Sequence, residues 1–120
     1  MSMSQWKNTN LLDKTGYSLH GLWAAFRSEK AIRNETLALA AMVALAAVRR
    51  CGPRTVFCVF IACLFPLIVE LINTAAETII DFTFGPAYRE DVRDAKDMLS
   101  AAVFLSLAVA YGLSLMLIFF

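Results

Sequence analysis

The stretch MLSAAVFLSLAVAYGLSLMLIFF, residues 98–120, decides the fold. It holds 23 residues without a charge. As a helix it would be about 34 Å long, enough to cross a hydrocarbon core of roughly 30 Å. Working back along the chain, Thr55–Val69 is a second apolar run, and its helical pattern continues to about Asp81. The run Thr36–Val48 is a third, with 13 uncharged residues. That is about 20 Å of helix, so it must recruit its flanks, with Arg33, Arg49 and Arg50 snorkelling to the interface. Gly52-Pro53 separates the first two runs, glycine past one helix end and proline at the start of the next.

Composition agrees with a membrane-embedded chain. Of 120 residues, 59% are hydrophobic and 18% charged, and mean hydropathy is +0.62. A soluble domain of this size exposes too much surface to hide so much apolar area. The net charge of +1 excludes a nucleic-acid binder held by a basic field. Cys51, Cys58 and Cys63 are odd in number and have no C-x-x-C spacing, so they read as small hydrophobes. His20 is isolated and reads as structural. The expected organisation is a single domain over 1–120: a surface-helix region over about 1–35 and spans at about 33–50, 54–80 and 97–120.

The first 35 residues are not a cleaved signal, because Trp23-Ala24-Ala25-Phe26 is followed at once by Arg27, Glu29, Lys30 and Arg33. Leu19, Leu22, Trp23 and Phe26 fall on one stripe, which predicts an amphipathic helix lying in the interface. Trp6 and Trp23 suit the headgroup level. Thr15-Gly16-Tyr17-Ser18 reads as a break, with Ser18 as N-cap. Glu29 and Arg33, four residues apart, are expected on one helical face, with Glu35 further on. Lysine and arginine number eight in the N-terminal region and second connection against three in the first loop. The positive-inside rule puts the N-terminus and the second connection in the cytoplasm.

The chemistry concentrates at the end of the second span. At about 100° per residue, Glu70, Asn73, Thr74, Glu77 and Asp81 share one stripe. Sixteen residues separate Arg54 from Glu70, about 24 Å of helix, and 23 separate it from Glu77, about 35 Å. Glu70 is then just inside the cytoplasmic boundary and Glu77 just outside. Asp81 reads as the solvated helix end. Acids placed so expensively in a membrane mark function. Neither G-x-x-x-x-G-K-[ST] nor G-x-G-x-x-G occurs, so any phosphate must be handled by acids holding a metal and by a few basic groups.

The segment Glu70-Leu71-Ile72-Asn73-Thr74-Ala75-Ala76-Glu77-Thr78-Ile79-Ile80-Asp81 resembles the signature of the bacterial integral-membrane diacylglycerol kinases. Gly16-Tyr17-Ser18, Gly21-Leu22, Glu29 to Arg33 and Glu35, Ala95-Lys96-Asp97-Met98 and Ser100-Ala101-Ala102 agree with it, so the resemblance runs from about Gly16 to the end. It implies an all-α fold with an N-terminal surface helix and three transmembrane helices per subunit. It further implies a homotrimer in the bacterial inner membrane, with active sites shared between neighbours. The implied activity is transfer of the γ-phosphoryl of MgATP to diacylglycerol, giving phosphatidic acid.

Carried over by position, Glu70 is the general base, and Glu29 and Glu77 hold Mg²⁺. Tyr17, Asn73, Tyr88, Arg89, Lys96 and Asp97, with Glu29 and Glu77, contact the nucleotide. Trp23, Phe26, Arg33, Glu35 and Ser100, with Glu70, contact the lipid. The chain departs from the family pattern at Asn10, where arginine is common, and in Phe82–Arg89, which is one residue longer and has Ala87 in place of an acid. Asn34-Glu35 resembles the diacylglycerol branch more than the undecaprenol kinases of the same family. A small multidrug-type transporter is the alternative of another class, but it needs four spans and a carboxylate near mid-bilayer.

Overall fold

Two helix–break–helix junctions and one five-residue connection arrange the chain. The computed structural model describes residues 10–120. Trp6, expected at the headgroup level, lies outside the described residues. Four helices follow in order: α1 Leu11–Ser28, α2 Lys30–Val48, α3 Pro53–Phe84 and α4 Glu90–Phe119. The last three are long and apolar enough to cross a membrane.

The expected break at Thr15–Ser18 does not occur. The N-cap of α1 is Asn10, whose Oδ1 accepts from the Asp13 N–H at 2.8 Å. The hydroxyls of Thr15 and Ser18 donate one turn back, to the carbonyls of Leu11 and Lys14, and so sit inside a continuous helix without capping a new one. The chain breaks instead at Glu29, which is extended at φ −111°, ψ 115°. This overturns the single helical face expected to pair Glu29 with Arg33. The cause is Arg33 itself, whose guanidinium donates to the carbonyls of Phe26 and Arg27 at 3.0 and 2.9 Å. Carbonyls at the end of α1 that lack helical donors are thus satisfied by a side chain from the first turn of α2.

The turn from α2 to α3 also departs from expectation. The left-handed residue is Arg50, at φ 59°, while Gly52 has φ −65° and is the N-cap of α3 ahead of Pro53. Cys51 N–H donates to the Ala46 carbonyl and Arg50 N–H to that of Ala47, both at 3.0 Å, closing a Schellman motif. At the other end, α3 runs to Phe84 and α4 starts at Glu90, so Phe82–Phe84 and residues 90–97 are helical and the connection is only Gly85–Arg89. Gly85 takes φ 67°, a conformation glycine adopts without cost.

α3 packs antiparallel on α4. Cys51 Sγ–H donates to the Ile118 carbonyl at 3.8 Å, Cys63 Sγ shares a hydrogen bond with Ser114 Oγ at 3.3 Å, and Lys96 reaches Asp81. The dry core of Ala46, Val59, Cys63 and Ile118 lies near the Gly52 turn. Pro66 is buried in α3 and leaves the Ala62 carbonyl without its helical donor one turn before Glu70. Only 17–22% of each apolar window is buried within the chain, so most of its outer surface must meet lipid or other chains. The bundle is therefore closed at the Gly52 end and open at the end carrying Glu70, Glu77 and Asp81.

A non-glycine residue in the left-handed region costs on the order of 1 kcal/mol. Arg50→Gly is expected to raise the midpoint of thermal unfolding in detergent; an unchanged or lower midpoint would show that Arg50 is unstrained.

Candidate active site at the open end of the bundle

Glu70 is buried, with 7% of its surface exposed, although it belongs to an otherwise apolar stretch of α3. Its carboxyl faces that of Glu35 on α2, which is 8% exposed. Among the described residues neither forms an ion pair, and Glu35 Oε1 has no hydrogen-bond partner. One turn further along α3, Asn73 Oδ1 is also buried and unpartnered. Burying polar atoms without partners is costly, which is the mark of a site shaped for something other than stability.

An apolar cleft of about 590 Å³ opens between α1, α2 and α3, lined by Thr36 and Leu71, the chain neighbours of Glu35 and Glu70, but by neither carboxyl. Leu19, Leu22, Trp23 and Phe26 of α1 form one wall, and Leu64, Leu67, Ile68 and Leu71 of α3 the other, with Ile32 and Thr36 between them. The helical spacing of the α1 residues is what presents them together, and the Trp23 and Phe26 rings stack at 6.2 Å. A second groove of about 630 Å³ lies between α1 and the Leu71, Thr74, Ala75 and Thr78 face of α3, and Glu29 borders it. Glu77 does not line it, so neither of these two cavities holds both acids expected to bind a metal. Among the described residues no group of three or more metal-ligating side chains forms. The donor chemistry nevertheless suits Mg²⁺, which takes oxygen ligands and needs few from the protein. Glu77 is half-buried, and the unpartnered Asn73 Oδ1 is one turn away on its face.

The charged residues after the second connection lie on the first turns of α4, before the uncharged stretch. Lys96 donates to Asp81 on α3, and this hydrogen bond, with the nearby Glu77 charge, holds its ammonium above the usual lysine range. Arg89 donates twice to Asp91 and lies over the Phe84 ring at 4.9 Å, lowering the Asp91 pKa below the ordinary carboxylate value. Asp97 pairs with Arg93 at 3.9 Å.

The structure thus brings Glu70 and Glu35 together, while Trp23 and Phe26 line a cleft that neither carboxyl lines. It places Lys96 with Asp81 near Glu77. Tyr88 and Ser100 are exposed on the connection and on α4, and Tyr17 is on α1. Arg33, expected to meet the lipid, donates from Nη1 alone to the α1 carbonyls. The pairing of Asp81 with Lys96 was not expected from the sequence. Its signal was the antiparallel register: residues equally distant from the second connection meet, as Asp81 and Lys96 do.

A prokaryotic diacylglycerol kinase family model matches residues 16–119. The chain belongs to the prokaryotic diacylglycerol kinase family. It is 35% identical over 102 residues to the diacylglycerol kinase of Escherichia coli strain K12, covering 85% of this chain and 83% of that protein. To the diacylglycerol kinase of Pseudomonas aeruginosa it is 37% identical over 99 residues, 82% of this chain and 80% of the relative. For that of Haemophilus influenzae the identity is 33% over 101 residues, 84% and 85% of the two chains. Family membership makes the chain a kinase, and its three helices long and apolar enough to cross a membrane suit a multi-pass membrane protein.

Removing a helix C-terminal cap of this kind costs on the order of 1 kcal/mol. In Arg33→Ala, amide exchange in the last turn of α1 is expected to speed up about fivefold, with α3 unchanged. Equal exchange in both proteins would show that the guanidinium does not hold the junction.

Proposed function

We propose that the protein is an ATP-dependent lipid kinase that phosphorylates diacylglycerol to phosphatidic acid at the cytoplasmic face of the bacterial inner membrane. The observation that carries this reading is a buried carboxyl, Glu70, whose chain neighbour Leu71 lines an apolar cleft and which Glu77 and Asp81 follow along α3. A greasy alcohol and a water-soluble triphosphate need such a boundary in order to meet. α1 serves as the interfacial amphipathic helix, with its apolar residues on the cleft and its N-terminus in the cytoplasm.

The acyl chains of the lipid occupy the cleft walled by Trp23 and Phe26, with the glycerol hydroxyl directed at Glu70. Glu35 and the exposed Ser100 belong to the same lipid side. Glu70 takes the hydroxyl proton as the alcohol oxygen attacks the γ-phosphorus. The bond from that phosphorus to the β,γ-bridging oxygen breaks, and its electron pair leaves with ADP. Such a transfer depends on alignment and charge neutralisation more than on covalent chemistry. Glu29 and Glu77 would hold Mg²⁺, which when bound offsets the phosphate charge. Lys96 adds a point charge at the phosphates, and Asn73, Tyr17, Tyr88, Arg89 and Asp97 bound the nucleotide. Because Glu29 borders a groove that Glu77 does not line, a homotrimer whose neighbours complete each site would account for both acids. It also shields polar groups that three helices alone leave open.

The test is ATP-dependent labelling of lipid in mixed micelles, with diacylglycerol and undecaprenol offered side by side. The expected product is labelled phosphatidic acid, with Glu70→Gln losing turnover while still binding MgATP. Preferential labelling of undecaprenol would move the chain to the other branch. Near-normal turnover in Glu70→Gln would remove the base assignment.

A further inference from the structure

Of the three ion pairs among the described residues, the Lys96–Asp81 pair alone joins two membrane-crossing helices. It bridges the last turn of α3 and the first turns of α4, on either side of the Gly85–Arg89 connection. Lys96 has a flexible four-carbon stem and three N–H donors. One donor is engaged by Asp81 Oδ1, and among the described residues no second acceptor takes the others. Glu77 lies one turn back along α3 from Asp81, close enough for its charge to act on Lys96. The ammonium is therefore held over the acidic face of α3, with donors left to offer.

We propose that Asp81 is a positioning residue: it anchors Lys96 across the α3–α4 seam so that the lysine meets nucleotide phosphates already oriented. This deepens the nucleotide-binding reading of Lys96 and rests on it. Without the anchor, the lysine would have to give up its rotamer freedom on each binding event. Asp81 also places a negative charge near the phosphates, but at this exposed position solvent and salt screen that repulsion. The orienting effect therefore dominates, and removing the acid weakens nucleotide binding.

The experiment is a double-mutant cycle in mixed micelles, reading equilibrium binding of a non-hydrolysable MgATP analogue together with KM values. For an exposed pair of this kind, Asp81→Asn is expected to weaken analogue binding about two- to fivefold. KM for MgATP should rise in parallel, KM for the lipid should stay put, and Asp81→Glu should restore binding. In a Lys96→Gln background the Asp81→Asn change should add nothing. Unchanged or tighter analogue binding in Asp81→Asn, or an equal loss in the Lys96→Gln background, overturns the positioning role while leaving a working lipid kinase. Failure of the unsubstituted protein to bind the analogue would remove the nucleotide reading and this inference with it.

Discussion

Glu35 and Glu70 face each other between α2 and α3, and the arrangement of the open end follows from keeping them there. Two carboxyls buried together without an ion-pair partner are costly and persist only where the surrounding packing holds them. Their meeting is set from a distance. The Schellman turn at Arg50 and the dry core of Ala46, Val59, Cys63 and Ile118 fix how α2 and α3 leave the far end of the bundle. From there both helices run toward the acidic end, and residue 35 comes level with residue 70. The apolar core thus supplies the rigidity that lets a poorly satisfied polar pair persist.

The same geometry separates two environments on either side of the acidic helix face. Toward α1 the surface of α3 is apolar, and Leu67, Ile68 and Leu71 complete a cleft with the α1 stripe. Toward the start of α4 it is charged, with Asp81 bound to Lys96. A kinase acting on a membrane lipid needs this division, because its two substrates come from different solvents. Arg33 contributes by tying the end of α1 to α2, which sets the attitude of the wall bearing Trp23 and Phe26.

Much of this was legible in the residues. Runs without charge, such as 98–120, announce spans because nothing else tolerates them, and Glu70 between Val69 and Leu71 announces a site for the same reason. What escaped depends on partners far along the chain or on local competition. The break at Glu29 is invisible to periodicity, since its cause is a guanidinium reaching back six and seven residues. Ser18 has the chemistry of an N-cap, yet its hydroxyl bonds the Lys14 carbonyl within a helix already started by Asn10. Gly52 drew the turn to itself because glycine usually takes the left-handed position, which here falls to Arg50. Asp81 is the solvated helix end that the residues indicated, but its partner Lys96 lies across a connection whose length the residues alone did not define.

The central claim is that the Glu70-to-Asp81 face of α3 crosses from hydrocarbon into water. Nitroxide labels on the exposed positions Ile68, Ile72, Ile79 and Phe82 leave the charged and polar residues of the site in place and report depth in a bilayer. Collision with dissolved oxygen is expected to dominate at Ile68 and Ile72, and collision with a water-soluble nickel chelate at Phe82, with the crossover between Ile72 and Ile79. Oxygen-dominated collisions at all four positions, or chelate-dominated collisions at Ile68, would contradict it.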